Sequence, residues 1–224
     1  MTASNFNRSL DLVLGHEGGF VNNPKDPGGA TNRGVTLRNF RRYVKPKGSI
    51  DDLKRLTVAQ AGTVYRRQYW DAVHGSELPS GLDYAMFDFG VNSGPSRAIK
   101  FVQRIVGATA DGRIGPATMA AIDGWPKGAG DIAGTLCDRR LAWMKTIRHR
   151  KTKALLWPTF GRGWTTRVNA VKAVSASMAT AAPGKTERVP LPSPATEKAS
   201  SPVRANLLDM IKGLWAAFQN WRRK

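Results

Sequence analysis

Apolar residues recur at three- and four-residue spacing through most of the chain, and this spacing predicts helices. The first helix carries its apolar residues on one face, at Phe6, Leu10, Val13 and Leu14. It is expected to end at the Gly18–Gly19 pair, which places Glu17 at its C-terminal end. Between Phe6 and about Thr166, long runs of alternating β-branched residues are missing. The pattern therefore predicts a mainly α-helical fold.

Further helices are predicted downstream by the same spacing. Their predicted extents are Thr57 (an N-cap) to Trp70, residues 81–94, Ser96–Val106 after Pro95, a short helix after Pro116, and Asp131 to about Arg150. Tyr65, Tyr69 and Trp70 lie at helical spacing. Aromatic rings can stack on sugars, but this spacing favours core packing for all three.

Between the first two helices lies a turn-rich segment, VNNPKDPGGATNRGVT, at residues 21–36. Asn, Asp, Pro and Gly favour turns, while Val35 and Thr36 have strand character. We therefore expect a loop or small hairpin directly after the helix that carries Glu17. Loops held by a rigid scaffold commonly carry functional residues.

The C-terminal part has a different composition. Residues 179–202 are rich in Pro, Ser, Thr and charged residues, which predicts a disordered linker. Residues 203–224 return to helical spacing, with an apolar stripe at Leu207, Leu208, Ile211, Leu214, Trp215 and Phe218. With the basic end Arg222–Lys224, this segment is predicted to be an amphipathic helix that binds an anionic membrane or lipopolysaccharide, or else packs on protein.

The chain is strongly basic, with 35 Lys and Arg against 16 Asp and Glu and a formal net charge of +19. Such a charge attracts polyanions, and DNA, anionic lipid and the bacterial envelope all qualify, although a basic excess is often only a solvated surface. The basic residues are spread along the sequence and are not concentrated beside stacking aromatics. We therefore expect no specific nucleic-acid partner.

Cysteine and histidine are too few and too scattered for metal-ligand spacing, so the sequence predicts no metal and no cofactor. Cys137 falls on a predicted helix face and is expected to be a buried small side chain. The first twenty residues lack a basic start followed by an apolar run, which predicts synthesis in the cytoplasm without a signal peptide. The expected state is a monomer.

Glycosidic bond hydrolysis needs a carboxylic acid that protonates the leaving oxygen and commonly a second carboxylate. Glu17 and Asp26 are candidates, because the intervening turns can fold one toward the other, and the hydroxyl of Thr31 could position a water. The alternative is that Glu17 and Asp26 serve only local structure, as a helix-end residue and a turn residue.

The segment HEGGFVNNPKDPGGATNRGVT resembles the N-terminal signature of glycoside hydrolase family 108 lysozymes, typified by phage endolysins and bacterial secretion-activator muramidases. The resemblance implies a lysozyme-like helical fold with a small loop or hairpin after the catalytic helix. It also implies that the glutamate of the EGG motif, Glu17, is the catalytic acid. Phage-type lysozymes have a similar layout of Glu, Asp and Thr, which implies catalytic roles for Asp26 and Thr31. No cofactor is implied.

A substrate-binding role is implied for three polar residues. Asn32 lies in the TNRGVT part of the signature, while Asp88 and Asn92 lie in FDFGVNSG, which resembles the central helix of the family. Polar groups on that helix can line the sugar cleft. For Asp88 and Asn92, the alternative is a helix-capping role.

Residues 98–122 resemble the peptidoglycan-binding helical module that accompanies this family. The predicted organisation is a catalytic domain at 1–94, a peptidoglycan-binding-like module at 95–178, the linker at 179–202 and the amphipathic helix at 203–224. The physical pattern is a helix ending at Gly107, a turn at Asp111–Gly112 and a helix starting at Pro116. A helix-turn-helix alone names no ligand.

These observations predict an N-acetylmuramidase of phage or phage-derived origin that acts on peptidoglycan in the host periplasm after release. Two alternatives remain open at this point. A lytic transglycosylase would cut the same bond with one glutamate and leave an anhydro sugar end. A non-catalytic wall-binding lysis factor would not depend on Glu17 at all.

Overall fold

The computed structural model describes residues 5–22 and 29–181. Within these ranges the chain is mainly helical, which confirms the predicted fold class. The helices are α1 (Asn5–Leu14), α2 (Leu37–Tyr43), α3 (Ile50–Lys54), α4 (Val58–Tyr65), α5 (Leu82–Ser93), α6 (Pro95–Val106), α7 (Pro116–Asp123), α8 (Gly128–Met144) and α9 (Trp157–Thr180). A short antiparallel hairpin, β1 (Thr31–Asn32) and β2 (Val35–Thr36), follows α1.

Helix α5 lies at the centre of the core. Every residue from Leu82 to Gly90 is buried, including the two carboxylates Asp83 and Asp88. Helices α1, α6, α8 and α9 all pack against it. The buried helix predicted over residues 81–94 is therefore confirmed, and its side chains reach the other main parts of the fold.

Hydrogen bonds to Asp83 attach the start of α1 to the start of α5. Asn5 donates through Nδ2 to Asp83 Oδ2 at 2.8 Å, while the N–H groups of Gly81 and Tyr84 donate to Asp83 Oδ1 at 2.8 and 2.7 Å. Burial raises the pKa of Asp83 to about 6, although these hydrogen bonds favour its charged form. The attachment fixes the direction in which α1 leads toward Glu17.

Helix α1 is shorter than predicted. It ends at Leu14, and hydrogen-bonded turns continue the chain, with the N–H of Glu17 donating to Leu14 O at 3.1 Å. Glu17 therefore lies three residues beyond the helix, and the Gly18–Gly19 pair does not cap it. The predicted hairpin with strand character at Val35 and Thr36 is confirmed.

Thr57 begins α4, as predicted. Its hydroxyl accepts a hydrogen bond from the N–H of Gln60 at 3.2 Å, and the Gln60 side chain accepts one from the N–H of Thr57 at 3.0 Å, forming a capping box. The helix continues to Trp70 as a π-helical segment, Arg66–Trp70. Tyr65, Tyr69 and Trp70 are at most 7% exposed, so their predicted core packing is confirmed.

The turn between α6 and α7 is organised by the buried side chain of Gln103. Its Nε2 donates to Asp111 Oδ1 and to Arg113 O at 2.7 and 2.8 Å, and its Oε1 accepts from the N–H of Gly112 at 2.9 Å. Gly107, with a φ of 76°, ends α6. The predicted sequence of helix end, turn and Pro116 start is confirmed.

Helix α8 ends at Met144, before the predicted end near Arg150, because the chain turns back and Arg148 pairs with Leu155 in an isolated bridge. Cys137 is buried in α8, as predicted, and burial raises the pKa of its thiol to about 12. The thiol is therefore held in its neutral form at physiological pH.

Helix α9 was not predicted as a single element. It packs along α8 and against α5, and it includes residues 179 and 180, which the sequence analysis assigned to the linker. Residues 182–202 of the predicted linker and the predicted helix at 203–224 lie outside the described residues. Among residues 5–22 and 29–181, no helix combines the length and the apolar character needed to cross a membrane.

Gly81 lies where α5 meets α9. It has a φ of 87°, and an added Cβ would collide with the backbone carbonyl of Ser175 and lie 3.1 Å from the backbone nitrogen of Ala179. Gly107 also has a positive φ, but an added Cβ there would meet nothing within 4 Å.

We predict that Gly81→Ala lowers the free energy of unfolding by at least about 2 kcal/mol, because backbone strain adds to overpacking. Gly107→Ala serves as the control and should cost about 1 kcal/mol, from strain alone. Urea unfolding of both variants measures the difference. Equal losses of unfolding free energy in the two variants would show that an added Cβ at position 81 meets no steric clash with α9.

Candidate active site

The carboxyl group of Glu17 lies in a nearly closed pocket of protein. Its side chain is 8% exposed, and it is approached by the hairpin turn, by α4 and by α9. The hairpin is held beside the Glu17 segment by Val21, which exchanges two backbone hydrogen bonds of 2.8 Å with Thr31. The hairpin turn, α4 and α9 thus surround the carboxyl group of Glu17.

Gly34 allows the hairpin turn to approach Glu17 closely. It has a φ of 72°, and a Cβ at this position would lie 2.9 Å from Glu17 Oε2 and would collide with the hydroxyl of Tyr65. Tyr65, from α4, donates a hydrogen bond through that hydroxyl to Arg33 O at 3.1 Å. A side chain at position 34 would displace the acid, so glycine is required by space as well as by φ.

A buried ion cluster lies behind Glu17. Asp88, on α5, accepts a 2.7 Å hydrogen bond at Oδ1 from Arg140 Nη1, and its Oδ2 accepts from Arg167 Nε at 3.1 Å and from Nη2 at 2.8 Å. Arg167 Nη1 lies 3.7 Å from Glu17 Oε1. The side chains of Asp88 and Arg140 are 0% and 1% exposed. Three helices, α5, α8 and α9, thus bring charge to the acid.

Two opposing effects set the pKa of Glu17. Burial is the largest and raises it, and the negative charge of Asp88 raises it further, while the positive charge of Arg167 lowers it. The net direction is upward. A carboxylic acid with a raised pKa retains its proton nearer to neutral pH, which is the property required of a general acid.

Two other titratable side chains contribute to this environment. Burial lowers the pKa of His16, and Arg167 lowers it further, so the imidazole is held neutral at neutral pH. Burial and the nearby charge of Glu17 raise the pKa of Tyr65 well above its ordinary value, so its hydroxyl keeps its proton. Arg167 is therefore the cation that lies within ion-pair distance of Glu17 among the described residues.

Of the predicted catalytic residues, Glu17 and Thr31 are described. Thr31 is half-buried on β1, on the hairpin whose turn contacts Glu17, so the structure brings these two segments together. Asp26 lies outside the described residues. Its role as the second carboxylate therefore stays a prediction.

Of the three predicted substrate-binding residues, two are buried and one is half-buried. Asn32 is buried, and its Nδ2 donates to the carbonyls of Leu53 and Lys54 at 2.9 and 3.0 Å, so it joins the hairpin to α3. Asp88 is fully buried, and both of its carboxylate oxygens are bound to arginine. It therefore cannot contact a sugar without rearrangement, and it is linked to Glu17 through Arg167. Asn92 is half-buried and accepts a hydrogen bond from Ser93 Oγ at 3.0 Å; its predicted sugar contact stays a prediction.

Sequence reasoning missed Arg140 and Arg167, and it assigned Tyr65 to the core without its contact beside Glu17. No local pattern distinguishes these two arginines in a chain with 35 Lys and Arg. The available signal was Asp88 itself, which lies among apolar residues of the predicted buried helix, because a buried ionised carboxylate is usually paired with a cation or held by several hydrogen bonds. Among the described residues, no group of three or more His, Cys, Asp and Glu is arranged to hold a metal ion.

We predict that Asp88→Asn lowers the free energy of unfolding by about 3 to 5 kcal/mol at neutral pH, because two buried arginines lose their counter-charge. The control is Asp138→Asn, which breaks an exposed pair with Lys172 and should cost less than about 1 kcal/mol. Urea unfolding measures both losses, and similar values would contradict a buried cluster.

The same variant gives a pH prediction. Burial raises the pKa of Asp88, but Arg167 and Arg140 together outweigh it and hold the pKa well below its ordinary value. A depressed carboxylate pKa stabilises the folded state above the unfolded pKa of about 3.9, and the contribution is lost as the pH falls further. The stability difference between wild type and Asp88→Asn should therefore be constant near neutrality and shrink below about pH 4. A difference that grows in acid would contradict this assignment.

Comparison with known proteins gives two adjoining family matches. Residues 10–94 match the family described as Glycosyl hydrolase 108, and residues 97–169 match the family described as Predicted Peptidoglycan domain. Both matches lie inside the two ranges predicted from the sequence. Glu17 and Asp88 belong to the first match, while Arg140 and Arg167 belong to the second.

Among solved structures, the chain is similar to SagA from Brucella abortus. The identity is 41%, the TM-score is 0.66, and the similarity covers 79% of this chain and 97% of that one. No curated protein matches. The two matched families, together with a buried acid of raised pKa, identify a peptidoglycan hydrolase of lysozyme-like fold. The chain therefore belongs to the glycosyl hydrolase 108 family.

Proposed function

We propose that this enzyme is an N-acetylmuramidase that cleaves the glycan strand between N-acetylmuramic acid and N-acetylglucosamine, with Glu17 as the general acid. The observation that carries the proposal is the position of Glu17, an 8% exposed carboxyl group enclosed by the hairpin, α4 and α9. Because its pKa is raised, Glu17 is suited to donate the proton that the leaving oxygen of a glycosidic bond requires.

Asp26 is proposed as the second carboxylate, which activates water or stabilises the positive charge that develops on the sugar. Asp88, the described carboxylate whose charge acts on Glu17, is unsuited to this role because it is buried and bound to two arginines. With Asp88 unsuited, Asp26 remains our candidate for the second carboxylate. Thr31, on the hairpin next to the Glu17 segment, is proposed to position the attacking water through its hydroxyl.

We further propose a phage or phage-derived setting, which rests on the resemblance of residues 16–36 to endolysin signatures. In this proposal the enzyme is made in the cytoplasm and reaches the wall in the host periplasm after release. Fractionation of cells that express the chain tests it. Activity should remain in the cytoplasmic fraction until the membrane is permeabilised, and activity in an intact periplasm would contradict it.

A separate role is proposed for residues 203–224, whose sequence combines an apolar stripe with a basic end. We propose that this segment binds anionic lipid or lipopolysaccharide. Helix α9 ends at Thr180, so a chain ending at Ala181 keeps every described residue. Leakage from anionic liposomes should fall on deletion of residues 182–224, and undiminished leakage would contradict a membrane role.

We predict that Glu17→Gln reduces peptidoglycan hydrolysis at least about a hundredfold, because glutamine is isosteric but has no proton to donate. Glu77→Gln is the matched control, since Glu77 is an exposed glutamate paired with His74, and it should retain full activity. Mass spectrometry identifies the products.

The products distinguish the alternatives. Reducing N-acetylmuramic ends that depend on Glu17 support the muramidase, whereas anhydro ends would show a lytic transglycosylase. Binding to peptidoglycan without Glu17-dependent cleavage would show a wall-binding protein.

We predict that Asp26→Asn also loses activity at least about a hundredfold, and that Thr31→Ala loses less, because the hydroxyl acts through a water. Rates of release of reducing ends measure both variants. A fully active Asp26→Asn enzyme would contradict the role of Asp26 as base.

A further inference from the structure

We propose that Arg167 is a positioning residue for the reaction: held in place by Asp88, its guanidinium stabilises the carboxylate that Glu17 becomes when it donates its proton. The proposal rests on the muramidase function proposed above, in which Glu17 is the acid. It assigns a role in the chemistry to the region that matches a peptidoglycan domain, beyond any role in binding the wall.

The geometry fixes the guanidinium before the reaction begins. Nε and Nη2 of Arg167 both donate to Asp88 Oδ2, at 3.1 and 2.8 Å, which leaves Nη1 directed at Glu17. Asp88 is itself held from the opposite side by Arg140 Nη1 at 2.7 Å. Arg167 is therefore oriented by a contact that does not involve the acid.

The distance between Arg167 and Glu17 suits a pair that tightens during the reaction. Nη1 lies 3.7 Å from Glu17 Oε1, beyond the length of a hydrogen bond and within reach of one after a small movement. A protonated carboxyl group gains little from such a contact. A carboxylate gains a charge-assisted hydrogen bond, so the interaction strengthens as the proton leaves.

The charge balance of the cluster favours the same direction. With Glu17 protonated, the buried groups are two cations, Arg140 and Arg167, and one anion, Asp88. An unbalanced buried charge is costly, and it is balanced when Glu17 becomes anionic. Burial raises the pKa of Glu17, while the positive charge of Arg167 lowers it and so limits the free energy needed to release the proton.

Several titratable or charged groups lie near Glu17 among the described residues. His16 lies in the same segment, Tyr65 comes from α4, Asp88 from α5, Arg140 from α8 through Asp88, and Arg167 from α9. The pKa of Tyr65 is raised well above its ordinary value, so Tyr65 keeps its proton. Burial lowers the pKa of Arg167, but the charges of Asp88 and Glu17 outweigh it and raise the pKa, so Arg167 keeps its charge. His16 is the group that can titrate near Glu17, so its ring signals must be followed in the same samples.

The proposal is tested by measuring the pKa of Glu17 directly. The full chain contains four glutamates, Glu17, Glu77, Glu187 and Glu197, so isotope labelling of glutamate gives few carboxyl NMR signals, and Glu17→Gln identifies the one required. In Arg167→Gln the pKa of Glu17 should rise by about 1 to 3, since an adjacent opposite charge has been removed.

Two further variants serve as controls. Arg167→Lys keeps the charge and should restore much of the lowering. Arg162→Gln makes the same change of charge at an exposed position of α9, and it should leave the pKa of Glu17 unchanged. An Arg167→Gln enzyme whose Glu17 has an unchanged or lower pKa would overturn the proposal.

Activity provides a second measurement. In Arg167→Gln, kcat should fall about tenfold or more with little change in KM, and the alkaline limb of the rate profile should move to higher pH. A purely structural role would lower thermal stability and leave that limb in place. Where wild type itself cleaves no peptidoglycan, the muramidase proposal fails, and the NMR titration still decides the role of Arg167.

The wild-type protein provides a test that does not depend on the folding of Arg167→Gln. The guanidinium N–H signals of Arg167 should shift with the same midpoint as the Glu17 carboxyl signal, and this shift should vanish in Glu17→Gln. Arginine signals that do not respond to the titration of Glu17 would overturn the proposal.

Discussion

The site depends on the ion pairing of Asp88 with Arg140 and Arg167. The carboxylate of Asp88 is fully buried in the central helix α5, where a lone charge would be strongly unfavourable, and it is compensated by Arg140 from α8 and Arg167 from α9. The second of these arginines is thereby directed at Glu17. The pairing thus compensates a buried carboxylate and places a positive charge beside Glu17.

The remaining architecture keeps this arrangement in register. Asn5 fixes the start of α1 to Asp83, so the end of α1 delivers the Glu17 segment to a defined place. The hairpin closes over the acid because Gly34 has no side chain to obstruct it. Tyr65 then binds the hairpin from α4 through the carbonyl of Arg33. Each contact joins elements that are distant in sequence, so the pocket forms only when the whole core has packed.

Much of the fold could be predicted because its signals are local. Thr57 and Gln60 cap α4 within four residues, and the turn at Asp111–Gly112 is stabilised by Gln103, which lies only eight residues before Asp111. The end of α8 could not be predicted, because basic helix-forming residues continue past Met144 while the structure turns the chain back at Arg148. Helix α9 begins with Pro158, Gly161 and Gly163, whose low helix propensity weakens the pattern.

The site itself was predictable only in part. The motif around Glu17 indicated the acid, but the environment of that acid depends on arginines 52 and 79 residues beyond Asp88, and no periodicity specifies such pairings. Asp88 and Asn32 were expected to bind substrate because their segments resemble the central helix and the N-terminal signature of the family. Both side chains are buried and hydrogen-bonded to protein groups, as buried polar groups generally are.

The distribution of the charge cluster along the chain also has a consequence for biosynthesis. Glu17 is among the first residues to be translated, whereas Arg167 is added after about three quarters of the protein has been made. A nascent chain exposes its acid to solvent without the cation and without α9 to cover it. Chains that stop short of α9 would carry the signature residues around Glu17 and still lack the arginine that lies beside it. The late synthesis of Arg167 therefore delays the assembly of the site until nearly all of the described fold has left the ribosome.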